Sequence, residues 1–342
     1  MRVNEIYYLH VPRNCRTALT RSRDRRLEFS TRKLSETSKV DVVGVGLNAT
    51  DTVISVPRHP ERGSKVEAAS VSVLPGGQVA SAVIACQQWG LKTRYVGKLG
   101  DDPAAALHRQ EFSTTGVEAE IVTAPGCASH QSFILVDPTG ERTVIRRHDE
   151  KLLLHAAELK RQWICNARAL LVDGCDTAAA TTAAKWARQA DIPVIADFDD
   201  AYPGIEELMK NVDYLIVSRD FPQMVCSEGD LKNSLPLLQR HFKCRLTAAT
   251  LGSDGVLAWD GQQFHHACAY RVSVVDTTGA GDIFHAGFIY ALLQGWSLQR
   301  QLDFACAAAA LNCTANGARG GIRTVDEIEK LMATGTHYPV HV

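Results

Sequence analysis

Residues 274–295 read VVDTTGAGDIFHAGFIYALLQG, and the interpretation of this stretch decides the fold. The β-branched residues before Asp276 predict a strand that ends there, Gly279 to Gly281 predict a turn, and the apolar run from Asp282 predicts a helix. Glycines let a backbone approach a ligand closely. The first amides of a helix point outward unpaired, with the positive end of the helix dipole behind them. Gly279, Ala280, Gly281 and Asp282 therefore form a candidate anion hole. A carboxylate beside bound phosphate at that place can take a proton from an attacking hydroxyl while the amides stabilise charge on a phosphoryl group in transfer. Asp282 is the candidate general base. The plainer alternative is that Asp282 only complements the helix dipole and the glycines only turn the chain.

Upstream, short β-branched runs alternate with helical patterns. VDVVGVG (40–46) precedes a helix from about 77 to 89, and RYVGKLG (94–100) precedes one near 103–112. The rhythm continues with ALLVDG (169–174), a helix near 177–190, IPVIADF (192–198), YLIVS (214–218), a helix near 231–242, RLTAATLG (245–252), and two helices after Asp282. Such alternation predicts right-handed β-α-β units, and hence a three-layer α/β/α fold with a mostly parallel central sheet. Two insertions interrupt it, at about 53–74 and 121–147. Both carry alternating strand patterns, such as SFILVDPTGERTVIRR (132–147) with its D-P-T-G turn, and together they predict a small β-sheet lid.

Composition narrows the function classes. The chain has 342 residues, 45% hydrophobic and 22% charged, with a formal charge of −1. No global positive field draws it to nucleic acid or anionic membranes, and no apolar run approaches the roughly 20 residues a spanning helix needs. Ten cysteines show neither a C-x-x-C pair nor metal-ligand spacing with the histidines, the usage of reduced thiols in the cytoplasm. Residues 1–39 hold ten Lys/Arg against four Asp/Glu and no sustained apolar period. They are expected to be a basic, disordered extension, succeeded by a catalytic domain over 40–332 and a tail over 333–342. The expected partner is a small molecule.

After the first strand comes Gly46-Leu47-Asn48-Ala49-Thr50-Asp51. An amide and a carboxylate at a strand's end can donate to and accept from neighbouring sugar hydroxyls. Gly44-x-Gly46-x-x-Ala49 also fits a dinucleotide fingerprint, but the next residues, TDTVISVP, have a strand pattern rather than a helical one, which disfavours an NAD-dependent oxidoreductase. Leu74-Pro75-Gly76-Gly77-Gln78-Val79-Ala80-Ser81 leads from the first insertion into a helix, and Thr250-Leu251-Gly252-Ser253-Asp254-Gly255 closes a strand where open α/β sheets commonly bind ligands.

D-T-T-G-A-G-D at 276–282, with the earlier G-x-N-x-x-D and P-G-G turns, resembles the ribokinase or PfkB family of sugar and nucleoside kinases over about 40–322. The resemblance implies a ribokinase-like fold and ATP-dependent phosphorylation of a small carbohydrate with Mg2+. It also implies Asp282 as base and the 279–281 amides as anion hole. Gly76, Gly77 and the position of Ser81, an asparagine in the family, would hold sugar hydroxyls, with Gln78 compensating for the shorter serine. Thr250, Gly252, Asp254 and Gly255 would line the ATP phosphates and ribose, Cys306 the adenine, and Ser218 would also bind the nucleotide. A monovalent cation, potassium, would sit on Asp276, Thr278 and the carbonyls near Asn312, Ala315 and Gly317. Where many relatives carry N-x-x-E, this chain reads Ser218-Arg219-Asp220-Phe221, so Asp220 or Asp197 would have to help hold Mg2+ through water.

Arg146 or Arg147, whichever faces the cleft, would pair an anionic sugar substituent, and Asp173 would touch a hydroxyl. His130, His148, His265 and His266 are expected in the lid or at the surface. The GERTVI and VDTTGAGDIFH segments resemble the ketohexokinase and sulfofructose kinase branches. The lid edge suggests a homodimer. The competing expectation, motivated by Ser218, Phe221 and Ser81, is a family member that binds sugar and nucleotide as a sensor without efficient turnover.

Overall fold

The computed structural model describes residues 39–339 except 139–141 and 148; the basic extension over 1–38, His148 and the end of the tail lie outside the described residues. The strands in chain order are β1 (Val40–Val45), β2 (Ala49–Ser55), β3 (Ser70–Gly76), β4 (Thr93–Leu99), β5 (Glu118–Thr123), β6 (Gln131–Val136), β7 (Arg142–Arg147), β8 (Ala167–Asp173), β9 (Val194–Phe198), β10 (Tyr214–Ser218), β11 (Leu246–Thr250), β12 (Val256–Trp259) and β13 (Phe264–Ala267). The helices are α1 (Gln78–Gln88), α2 (Pro103–Thr115), α3 (Arg161–Ile164), α4 (Thr177–Gln189), α5 (Ile205–Met209), α6 (Phe221–Cys226), α7 (Leu231–Phe242), α8 (Ala280–Leu293), α9 (Leu298–Asn312) and α10 (Val325–Thr334). No helix among them is long and apolar enough to cross a membrane.

Nine strands form one sheet in the order β13-β12-β11-β10-β9-β8-β1-β4-β5, parallel except where β12 pairs antiparallel with β11 and β13. Its central strands are buried on both faces because helices cover both. Val42 of β1 packs into one core with α1, α8 and α9, while Val43 and Val45 enter the other with α4 and α7. β1 pairs with β4 on one side and β8 on the other, so the strand order reverses there, and the carboxyl ends of β1 and β8 open a crevice of the kind that binds ligands. The chain therefore has the three-layer α/β/α architecture with a mostly parallel central sheet.

The other four strands form a smaller sheet, β3-β2-β6-β7, in which two antiparallel pairs join through a parallel β2/β6 contact. Two boundaries differ from the expected insertions. β2 begins at Ala49, directly after the turn that leaves β1, rather than near 53. β5, over part of the expected second insertion, pairs with β4 in the large sheet. An edge strand of a large sheet and a strand of a small one show the same half-buried alternation, so only the pairing tells them apart.

The stretch before Asp276 is the other correction. It forms no strand: Val274 and Val275 are about half exposed, and the Val275 and Asp276 amides donate to the Cys313 carbonyl instead of to a sheet neighbour. The helix beyond it starts at Ala280, not Asp282, because Gly279 takes φ 76° and caps it. The Gly44–Ala49 turn leads into strand β2, which removes the dinucleotide alternative. A third helix, α10, comes after the two expected beyond Asp282. Its capping box joins Thr324 and Glu327.

Candidate active site

Helix α8 carries the site. Ile283, Phe284, Phe288 and Ile289 are buried, and Gly287 lets α9 approach so closely that a Cβ there would lie 2.8 Å from the Ala305 Cα. A helix clamped in this way holds its first turn rigidly. The first intrahelical bond runs from the Ile283 amide to the Gly279 carbonyl at 2.9 Å, and the Ala280 amide bends back to the Thr277 carbonyl at 3.3 Å. The Gly281 and Asp282 amides belong to the first turn, where no carbonyl of the helix can receive them. Asp282 is third in the helix, and its carboxyl group is pushed up to about 6, first by burial and then by the nearby Asp51 carboxylate.

On one side of this turn lies a largely apolar cavity of about 250 Å³, lined among others by Thr250, Gly252, Gly255, Ala280, Gly281 and Cys306. Four of the proposed nucleotide residues thus meet two of the anion-hole residues around one space. Asp254 and Ser218 do not line it. Asp254 is held by Arg219 at 2.6 Å, and the Ser218 hydroxyl donates to the Asp199 carbonyl at 3.4 Å. Phe221, at the position of the missing glutamate, is a core residue packed on Phe198.

On the other side polar residues gather, with Asp51 and Ser81 next to Asp282. Asn48 and Asp51 are buried there. The Asn48 Nδ2 has no hydrogen-bond partner among the described residues, nor does the Gln78 Oε1 at the head of α1. A buried donor and a buried acceptor without partners are costly unless something else supplies them. Asp51 is raised to about 6 by burial, against the hydrogen bond from Ser132 and the charge of Arg319. Gly77 takes φ 97°, and a Cβ there would lie 2.6 Å from the Asn48 Cα, so the P-G-G turn closes directly over the Asn48 turn. Gly76 approaches the Asp51 carboxyl in the same way.

Asp173 is not free among these residues. Its carboxylate accepts from the Leu47 amide at 2.7 Å and the Cys175 amide at 3.0 Å, bracing the Asn48 turn across the β1/β8 crevice, and burial raises it to about 8. Asp197 is buried against His285, whose Nδ1 is 3.3 Å from its carboxylate and 2.8 Å from the Gly281 carbonyl; burial, then Asp282, pushes Asp197 well up. Asp220 is exposed at the start of α6. No three His, Cys, Asp or Glu side chains among the described residues cluster as a metal site.

Of the lid arginines, Arg146 points inward, with its guanidinium 3.4 Å from the Tyr202 hydroxyl and 3.9 Å from Asp199, whereas Arg147 turns to Asp149. Arg142, two residues before Val144 on the inward-facing side, donates to the Thr278 hydroxyl at 3.3 Å. His130 is buried at the lid's edge, His265 pairs with Asp260 at 2.7 Å, and His266 meets the Asp254 carbonyl at 2.9 Å.

Behind the Gly279 turn, Asp276 accepts from the Thr278 and Gly317 amides, both at 2.8 Å. The Asn312 amide group donates to the Thr278 and Ala318 carbonyls at 3.2 and 3.1 Å and accepts from the Gly321 amide at 3.2 Å. The Ala315 amide reaches the Asn312 carbonyl at 3.4 Å. The loop offers oxygen donors only, and carbonyls retain a second lone pair, so its chemistry suits a hard cation while its own hydrogen bonds already hold its shape.

One residue of this polar group was not singled out in the sequence. Arg319, from the A-R-G-G loop after α9, is buried among Ser81, Gly76, Asn48 and Glu111. Its only local signal is an arginine among glycines, with no acidic neighbour in the chain.

Residues 39–325 match the family described as pfkB family carbohydrate kinase. The chain is 26% identical over 292 residues to the ribokinase of Bacillus subtilis (strain 168), covering 84% of this chain and 98% of that protein. It is 27% identical over 300 residues to fructokinase-2 of Solanum lycopersicum, covering 80% and 91%. Among solved structures, the ribokinase of Thermotoga maritima shares the fold with a TM-score of 0.72 at 24% identity, covering 86% of this chain and all of that one.

Proposed function

Because the chain belongs to the pfkB family of carbohydrate kinases, and so is an ATP-dependent phosphotransferase acting on sugars, we propose a mechanism for it. It transfers the γ-phosphoryl group of MgATP to a hydroxyl of a small sugar or sugar derivative, with Asp282 as general base and the 279–282 amides as anion hole. The observation that carries this reading is the junction at the α8 N-terminus. Ala280 and Gly281 face the apolar cavity, while the next residue, Asp282, lies among the polar residues next to Asp51.

Adenine fills the apolar cavity beside Cys306, and the triphosphate, bound with its Mg2+, runs toward Gly281. The sugar lies in a cleft between the polar residues. There the unpartnered Asn48 Nδ2 donates to one oxygen, the Asp51 carboxylate accepts from a hydroxyl, and the Gln78 Oε1 accepts from another. Asp282 takes the proton of the attacking hydroxyl as the new O–P bond forms and the bond to the β-phosphate oxygen breaks, releasing ADP. A carboxyl group raised to about 6 is still ionised at neutral pH, yet is a stronger base than an ordinary aspartate. Within the 279–282 turn the amides of Gly281 and Asp282, which no helical carbonyl can receive, take most of the negative charge that spreads over the transferring group. The Ala280 amide already bends back to Thr277. Asp276, Thr278, Asn312, Ala315 and Gly317 would hold potassium, which would add positive charge behind that hole. Asp197, buried against His285 and held well up by burial, stays a neutral acid and is not the group that would hold Mg2+ through water.

The lid face that bears Asp51, Val53 and Ile134 covers the cleft, and its closure excludes water as a competing acceptor. The opposite face presents Val71, Val73, Phe133 and Ile145 to solvent, and Val71 is 61% exposed. A contiguous apolar sheet face of this kind suits a second copy of the chain, giving a homodimer through the lid. Sedimentation velocity should return a dimer that Val73→Lys dissociates; a monomer at tens of micromolar protein would remove this part of the reading. The nine described cysteines are all unpaired, which suits a reducing cytoplasm.

The test is ADP formation with MgATP and potassium over ketoses, aldoses, sugar phosphates, sugar acids, sulfosugars and nucleosides. Turnover dependent on one sugar class establishes the kinase and names its substrate. Binding of sugar and nucleotide with no ADP above background would favour the sensor reading, for which Ser218 and the core residue Phe221 are the relevant departures.

A further inference from the structure

The Arg319 guanidinium joins four segments that are distant in the chain. Its Nε donates to the Ser81 hydroxyl of α1 at 3.1 Å, and its Nη1 is paired with Glu111 of α2. Its Nη2 donates both to the Gly76 carbonyl at 2.5 Å and to the Asn48 Oδ1 at 3.4 Å. Four of its five N–H groups are thereby engaged, and a guanidinium has no acceptor. The group has almost no donor capacity left for a substrate anion, so it acts on the site from behind. In addition, only the oxygen end of the Asn48 amide can face it, which turns the Asn48 Nδ2, buried and without a partner, toward the cleft.

We infer that Arg319 is a positioning residue of the sugar site. It fixes the orientation of the Asn48 amide so that the substrate meets a donor there, and it locks the Gly76 turn to α1 in place of a longer side chain at position 81. This rests on the substrate cleft argued above. It deepens that reading by stating which end of Asn48 the sugar meets. The sugar atom seated against Asn48 must be an acceptor, such as a carbonyl, ring or hydroxyl oxygen, while the one seated against Asp51 must be a donor. The neighbouring main chain connects this clamp to the phosphoryl side. Ala318 packs its carbonyl against Gly279 and receives the Asn312 amide group, so a shift of Arg319 disturbs the acceptor site and the anion hole together.

The test combines a substrate-independent measurement with a kinetic one. In a double-mutant cycle on the full chain, Asn48→Asp keeps an oxygen toward Arg319 and should be tolerated in the parent. It should cost at least about tenfold more in the unfolding equilibrium when Arg319→Gln has removed the guanidinium. No coupling between the two changes would overturn the assignment whether or not any sugar is turned over. For whichever sugar in the panel the parent phosphorylates, Asn48→Asp should raise the sugar KM more than tenfold with the MgATP KM within about twofold. Arg319→Ala should lose at least tenfold in kcat/KM and regain part of it on addition of free guanidinium, while Arg319→Lys stays impaired because an ammonium cannot reproduce the fork. Unchanged sugar KM in both the Asn48 and Arg319 variants would also overturn it. A panel with no substrate at all would count against the kinase reading alone, because the folding cycle still decides this one.

Discussion

Asp282→Asn is expected to lower kcat by roughly 10³-fold, within the range a positioned general base contributes, while leaving the MgATP KM within about twofold. Asparagine keeps the volume and a dipole at the third position of α8, so the fold and the anion hole survive, and what is lost is the proton acceptor. The pH dependence has a definite sign. Burial and the Asp51 carboxylate hold Asp282 up at about 6, and burial holds Asp51 at a similar value. As the pH falls through about 6 the pair takes up protons, so kcat/KM should fall on the acidic side and reach a plateau above about 7. The limb belongs to the pair, so its midpoint should move when either carboxylate is removed. A pH–rate series from 5 to 8 on the parent and on Asp282→Asn checks both statements. An Asp282→Asn variant that keeps the parent rate and the same acid limb would exclude Asp282 as the base.

Gly279→Ala is expected to lower kcat by about 10²-fold and to destabilise the protein by roughly 1–3 kcal/mol. Gly279 takes φ 76°, and a Cβ there would run into the Ala318 carbonyl. The backbone must move, and with it the amides proposed to receive the phosphoryl charge. Gly281→Ala provides the contrast. A Cβ on Gly281 meets nothing within 4 Å, and the residue is in the helix, so stability should hold or rise slightly. That methyl group would still crowd the phosphoryl side of the turn, so the MgATP kcat/KM should fall without a loss of melting temperature. Thermal melts beside steady-state kinetics separate the two cases. Full kcat in Gly279→Ala would mean that this turn does not stabilise the transferring group.

The elements that were legible in the sequence are those whose signal is local. The strand and helix alternation from Val40 onward, the turn at Gly279 and the helix after it each occupy one continuous segment, where periodicity and glycine placement report directly on backbone geometry. The residues over 271–276 show how that signal misleads. Their β-branched pattern is a strand pattern, yet Val275 and Asp276 spend their amides on Cys313, a partner about forty residues away that no local rule names. β5 misleads in the same sense, since its half-exposed alternation fits either sheet and only its register with β4 assigns it.

Within the site, Asn48, Asp51, the P-G-G turn and D-T-T-G-A-G-D are short motifs, and a motif can be read wherever its spacing carries the chemistry. Arg319 has no motif. Its partners lie 208 to 271 residues away along the chain, and neither its charge nor its glycine neighbours say that it will be buried. Asp173 has the opposite history, since the sequence offered it as a substrate contact and the fold spends it on the Leu47 and Cys175 amides. The sequence by its own local signals determined the parallel α/β architecture and the position of the Gly279 turn, because backbone propensity and periodicity act over a few residues. Packing alone settled which of the charged side chains are spent on other protein groups, as Asp173 is on the Leu47 and Cys175 amides and Arg319 on Asn48 and Gly76. That depends on desolvation and on hydrogen-bond partners that distant segments supply only once they have packed.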